Sequence, residues 1–231
     1  MSVSADRAAP HFAACLLTTA YLPPVEYFLA IAHSDRVLLE QHENYQKQSW
    51  RNRCRILSAA GPEDLSIPVV KEERLSRPIR DIRIDYGAPW LQHHIRAFAA
   101  AYNSSAYYDY YADELIPLLE RRPVFLFDLN LALLEKLLEL LGLDTPVALT
   151  DRYVKTLVVP VFDGRERIQP KYKGKSLLAE YGREQAYYQV FVNRDPSSVE
   201  PGPDRASCFI PNLSILDLLS AEGPDAGRFL R

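Results

Sequence analysis

The sequence predicts an α/β fold: a mainly parallel or mixed sheet started by a βαβ unit, with a helical layer around residues 90–142. Three observations predict it. An apolar run at Ala14–Thr19 is followed by a Tyr21-Leu22-Pro23-Pro24 turn, then by helical spacing of Val25, Phe28, Leu29 and Ile31. A second apolar run, Arg36–Glu40, comes soon enough to close a compact strand–helix–strand unit, whose strands are then parallel. Further on, Leu126, Leu129, Leu133, Leu137, Leu140 and Leu141 line one helical face, with Gly142 placed as a C-cap and Pro146 beyond it.

The remaining elements follow in order. Pro24 suits a first helical turn because its missing N–H would have no partner there anyway. Gln41–Arg53 is polar. Cys54–Ser58 reads as a strand, Ala59-Ala60-Gly61-Pro62 as a turn, and Leu65–Val69 as a short strand that Pro68 confines to an edge or an end. Ile79–Tyr86 alternates apolar and charged residues like a strand. Trp90–Tyr102 and Asp109–Glu120 return to helical spacing. Pro146–Thr150, Val158–Val161 and the alternating Tyr187–Val192 read as further strands, and Ile215 begins the last helix. Residues 164–182, rich in Lys, Arg, Gly and Gln, read as a mobile loop whose basic part, Arg165–Lys175, is able to close over an acidic ligand. Residues 1–12 read as a disordered leader and 13–224 as one domain.

Composition narrows the function. At 231 residues the chain suits one sizeable core. A net charge of −3 excludes a broad nucleic-acid surface, which needs a basic excess. Cys15, Cys54 and Cys208 are odd in number and show no metal spacing, so neither a disulfide framework nor a metal site is expected. The apolar run Phe12–Ala20 has Asp6 and Arg7 ahead of it, whose charges cancel, and a turn behind it. That pattern is a buried strand rather than a signal peptide. No run approaches the ~18 apolar residues of a membrane span, and a cytoplasmic, soluble protein is expected. P-loop, dinucleotide and nucleophile-elbow motifs are all missing, so no cofactor is expected.

The densest functional candidate is E-Q-H-E-N-Y-Q-K-Q-S-W-R-N-R, Glu40–Arg53. Glu40 would end the second parallel strand, at the sheet edge where loops and helix N-termini converge on ligands. The helix beginning near Pro24 would point its free N–H groups at the same crevice. Glu43, Asn44, Lys47, Arg51, Asn52 and Arg53 supply carboxylates for proton transfer and cations for a phosphate or carboxylate. Charge density alone reads as a solvated linker. The interleaved amides and aromatics, and the lack of Gly or Pro, point instead to a ligand-facing segment. His94 shares a helical face with Trp90 and is a second candidate base, although a packed histidine is the commoner case. Asp128 and Asn130 open the leucine-rich helix and either cap it or face the site.

Six blocks in order carry a resemblance: Y-L-P-P-V-E-Y-F (Tyr21–Phe28), E-Q-H-E-N-Y-Q-K-Q-S-W-R-N-R-C-R-I (Glu40–Ile56), L-S-I-P-V (Leu65–Val69), W-L-Q-H-H (Trp90–His94), A-Y-N-S-S-A-Y-Y-D-Y-Y (Ala101–Tyr111) and P-N-L-S-I-L-D-L-L (Pro211–Leu219). They resemble the WbqC-like proteins of bacteria over nearly the whole chain. The positions that look like family signatures are Pro24, Tyr27, Phe28, Glu40, Lys47, Arg51, Asn52, Arg53, Pro68, Trp90, His94, Tyr102 and Asn130. The chain departs from the family in having Ala20-Tyr21 where many members carry Gln-Pro before the first helix, which puts substrate identity in question. The family is named from O-antigen and other surface-polysaccharide gene clusters, so the resemblance implies work on sugar nucleotides or on groups attached to amino sugars.

Two functions are therefore expected. One is a transferase acting on an activated sugar or acyl donor, free or carrier-bound. Glu40 or His94 would be its base, and Tyr21, Tyr27, Glu43, Lys47, Arg51, Asn52, Arg53, Trp90 and Asn130 would contact its substrate. The other is a non-catalytic binding or assembly protein that docks a partner through the aromatic-rich segment Tyr102–Tyr111.

Overall fold

A computed structural model describes residues 10–70, 77–157, 160–183, 187–191 and 209–231. Strand β1 (Ala14–Thr18) is buried along its whole length, as a central parallel strand must be. Helix α1 (Val25–Ala32) returns the chain to β2 (Val37–Glu40), which pairs parallel with β1 from Cys15↔Val37 to Thr18↔Glu40. This is the expected βαβ start.

Two short strands from far along the chain complete the sheet. β5 (Val147–Leu149) adds parallel to β2, and β6 (Val161–Asp163) adds parallel to β1, giving the order β5-β2-β1-β6. All four strands run one way, so their C-terminal ends share one edge. A separate antiparallel hairpin, β3 (Arg53–Ser58) with β4 (Gly61–Ser66), turns at Ala59-Ala60. Gly61, with φ +112°, opens the returning strand in a conformation that a side chain would oppose.

Helices α2 (Trp90–Tyr102), α3 (Tyr108–Glu120) and α4 (Leu126–Leu141) form the helical layer. The predicted α4 face, including Leu126, Leu129, Leu133, Leu137 and Leu141, is buried; each such leucine contributes ~1.5–3 kcal/mol. Gly142 ends the helix in the left-handed conformation, φ +60°, and the Leu143 N–H closes back on the Leu138 carbonyl. Short helices α5 (Leu177–Glu180), α6 (Ile215–Glu222) and α7 (Ala226–Leu230) follow. No helix among the described residues is long and apolar enough to cross a membrane.

Several local expectations are corrected. Ile79–Tyr86 is not a strand. Ile79–Asp81 forms a 3-10 turn, and only single bridges (Val69↔Ile84, Arg83↔Phe125) follow. Its alternation reflects Ile79, Ile82 and Ile84 each reaching the core from irregular backbone. The Leu65–Val69 strand starts earlier, at Gly61, and ends at Ser66, ahead of Pro68. Tyr187–Phe191 forms no strand; Tyr187 packs between Phe209 and Phe229, and the Gln189 amide pairs with both backbone groups of Ile210. Val192, Val158 and Val159 lie outside the described residues, as do residues 1–9 of the expected leader. Phe12 of that leader bridges to Ser34 and stacks on Phe162. The 164–182 segment contains α5 and is tied down by Arg165, Arg167 and Gln169.

Candidate functional site

The chain leaving β2 does not behave as a solvated linker. Glu43, Tyr45, Ser49, Trp50 and Arg51 are buried, and the backbone is held from both sides. The Ile79 N–H donates to the Glu43 carbonyl, the Tyr45 N–H donates to the Arg77 carbonyl, and the Tyr21 N–H donates to the Trp50 carbonyl. Residues 44–47 then alternate between two hollows. His42, Glu43, Asn44 and Gln46 line a cleft of about 420 Å³ together with Tyr153, Arg165 and Glu166. Tyr45, Lys47 and Gln48 line a second hollow, of about 280 Å³, with Asn52, Arg53 and Ser66–Val69.

The larger cleft has the position that an α/β sheet gives a ligand site. Its walls are the loops following β2, β5 and β6, all at the C-terminal edge of the parallel strands. β6 lies on the other side of β1 from β2 and β5, so the strand order changes direction there.

Glu40 is caged below this cleft and fully buried. One of its oxygens accepts from the His42 N–H (2.8 Å) and the Thr150 hydroxyl (2.9 Å); the other accepts from the Val154 N–H (2.9 Å). Arg165 approaches it to 3.8 Å while gripping Asp163 with two nitrogens and donating to the Val154 carbonyl. Glu40 thereby ties the ends of β2, β5 and β6 together.

Glu43 reaches the cleft from its buried side, and Glu166 lines it as well. Arg51 clamps Glu43 bidentately, Nε to Oε1 at 2.8 Å and Nη2 to Oε2 at 2.5 Å. Both side chains are buried, so the pair is charge-assisted in a poorly solvated setting. Burial raises the Glu43 carboxyl above its ordinary value, against the opposing pull of Arg51. Asn130 fixes the clamp from α4 by donating from Nδ2 to the Arg51 carbonyl (2.8 Å). Tyr27 donates its buried hydroxyl to the Thr18 carbonyl and braces the end of β1.

The expected meeting of Glu40, His94, Arg51 and Arg53 at one concave surface does not occur. Glu40 and Arg51 lie beneath the larger cleft, and Arg53 and Lys47 line the second hollow. His94 lines neither. It is buried in α2 against Trp90 and Phe98, with Nδ1 3.0 Å from the Tyr21 hydroxyl. Burial, aided by neighbouring His93, pulls its pKa down to about 4, so the ring is neutral at physiological pH. The N-terminus of α1, expected to face the ligand, is covered by the C-terminal segment: its Val25 N–H donates to the Leu213 carbonyl.

Tyr153 and Glu166 were not visible as site residues in the sequence. They follow strands of three residues, too short to announce a sheet edge. No group of three or more His, Cys, Asp or Glu among the described residues is arranged to hold a metal ion. Cys54, flanked by Arg53 and Arg55 in sequence, is buried, and its thiol is pushed far above the ordinary value.

The fold is that of an α/β protein with a polar cleft at the carboxyl edge of a parallel sheet. Residues 19–229 match the WbqC-like protein family, and the chain belongs to that family. It is 30% identical over 233 residues to Uncharacterized protein Rv1507c of Mycobacterium tuberculosis, an alignment covering 91% of this chain and 95% of that protein. No solved structure matches.

Proposed function

We propose that the chain is a transferase that uses Glu43 to deprotonate an acceptor held in the sheet-edge cleft. The observation that carries this reading is the Glu43 carboxylate: it opens onto the cleft, is raised by burial and is held in one orientation by Arg51. A carboxylate whose charged form is disfavoured by burial is a stronger base than a solvated one.

Charge favours an amine as acceptor. Glu43 and Glu166 line the cleft beside Arg165, and behind its walls Glu40 and Asp163 outweigh Arg51. An amino sugar brings a cation when protonated and, once neutral, a nucleophilic nitrogen. Its nitrogen would form a bond to the electrophilic carbon of an activated sugar or acyl donor, and the donor's leaving group would depart with the old bonding pair. Glu43 would take the nitrogen's proton. Glu40 and Arg51 would act as positioning residues. Such a step fits surface-glycan assembly, the setting that the family resemblance implies.

The test is a panel of activated sugar and acyl donors offered with amino-sugar acceptors. Consumption of an amine acceptor supports the reading, and Tyr153→Ala should then raise KM. Binding and turnover unaffected by changes at both Glu43 and Tyr153 would place the chemistry elsewhere.

A second reading, partner docking, is favoured by one observation. Tyr107 and Tyr110 are 40% and 60% exposed and border a hollow with Tyr111, Leu140 and Pro224. Co-purification of a stable partner, lost in Tyr110→Ala, supports it; a chain that stays monomeric and partnerless counts against it.

A further inference from the structure

We infer that the second hollow is a phosphate-binding site that takes a small phosphorylated hydroxy compound. The inference rests on the hollow's own geometry and does not depend on the transfer chemistry. The hollow lies across the 41–53 segment from the acidic cleft and has the opposite charge. Lys47 and Arg53 line it, and Lys171 stands beside them, its Nζ donating to Gln48 at 2.8 Å. The nearby carboxylate, Asp64, is divided between Arg53 and Arg55, so it neutralises neither fully. In a chain of net charge −3 this local cationic excess is a departure that attracts anions.

The arms of Arg53 select among anions. Its Nε donates to the Ser66 hydroxyl (3.2 Å) and its Nη1 to Asp64 (3.1 Å). The edge that would grip a carboxylate side-on through Nε is therefore already used, leaving the two N–H groups of Nη2 to face a ligand. The flexible ammonium of Lys47 joins them as a point charge. Two separate donor groups suit a tetrahedral dianion, whose oxygens point in different directions, better than a planar carboxylate.

Asn52 adds a second requirement. Its Nδ2 donates to the Ile67 carbonyl (2.7 Å), which fixes the amide orientation, and its Oδ1 is buried with no hydrogen-bond partner. A buried acceptor left unmade is costly, so a ligand hydroxyl that reaches it through a small shift of the Asn52 side chain gains affinity. Tyr45 and Val69 supply apolar wall for the carbon skeleton between hydroxyl and phosphate.

The experiment is calorimetric titration of the full chain with inorganic phosphate, glycerol 3-phosphate and malonate. Glycerol 3-phosphate should bind more tightly than phosphate, and malonate more weakly than either. Lys47→Ala should weaken both phosphates about tenfold, the effect of one charge-assisted contact, and Lys47→Glu should abolish binding. Lys47 is exposed, so these variants should fold. Glu166→Ala, in the other cleft, should keep wild-type affinity. Equal binding by wild type and Lys47→Glu overturns the inference, as does malonate matching phosphate. Failure of both phosphates to bind at millimolar concentration overturns it as well.

Discussion

Arg51 and Glu43 form a buried two-point ion pair, with Arg51 1% exposed and ranked among the largest fully buried side chains of the protein. Removing either member leaves a charge in a low-dielectric interior without its partner. Arg51→Met should destabilise the fold by about 3–5 kcal/mol. The double variant Glu43→Gln with Arg51→Met should recover most of that loss. Urea denaturation of the three proteins measures it. A single variant as stable as wild type would show that the clamp is not closed in solution.

Asp217 and Glu26 give the stability a pH dependence. Both are buried, and desolvation pushes each up to about 7, from 3.8 and 4.5 respectively. Between those values the folded state holds protons that the unfolded chain has released, so stability falls as pH rises through the window. Asp217 faces the Tyr102 and Tyr187 hydroxyls, which offset part of its burial cost. Asp217→Asn removes its share of the slope. The stability of that variant relative to wild type should grow from about pH 5 to about pH 8, by a few kcal/mol at most. A difference independent of pH would mean that Asp217 ionises normally.

His94 works in the opposite direction. Its folded pKa of about 4 lies below the ordinary 6.5, so as pH falls between those values the unfolded chain takes up a proton that the folded chain refuses. Stability is lost on that side. Nuclear magnetic resonance of the imidazole should show no titration of His94 near 6.5 and a single neutral tautomer held by Tyr21. A ring that titrates near 6.5 contradicts this placement.

Two glycines separate conformational from steric cost. Gly142 has φ +60° with open space around a notional Cβ, so Gly142→Ala should cost about 1–2 kcal/mol, the left-handed penalty alone. A Cβ on Gly227 would meet the Leu141 carbonyl oxygen, which is backbone and cannot swing aside. Gly227→Ala should therefore cost more than Gly142→Ala, by forcing α7 off the end of α4. Thermal denaturation that ranks them the other way would contradict the packing of the C-terminal helix.

The parts of the fold legible in the sequence are those with long, regular hydrophobic patterns. β1, α1 and β2 could be read because apolar periodicity and the Pro24 boundary agree, and α4 because its leucine face and Gly142 agree. β5 and β6 are three residues each, and their pairing is set by tertiary contacts rather than by local pattern. The site was legible as a segment but not as a geometry. Glu40–Arg53 does lie at the sheet edge, yet its side chains divide between two hollows and the interior, a distribution that charge and spacing do not encode. Tyr153, Arg165 and Glu166 reach the cleft only because β5 and β6 flank β2 and β1.

The most direct measurement of the central claim is kcat/KM for one donor and amine acceptor, compared between wild type and a Glu43→Gln variant that circular dichroism shows to be folded. Loss of the base should lower the rate by about 10²–10⁴-fold while donor affinity stays at the wild-type value. A folded Glu43→Gln protein turning over at the wild-type rate would contradict the role given to Glu43.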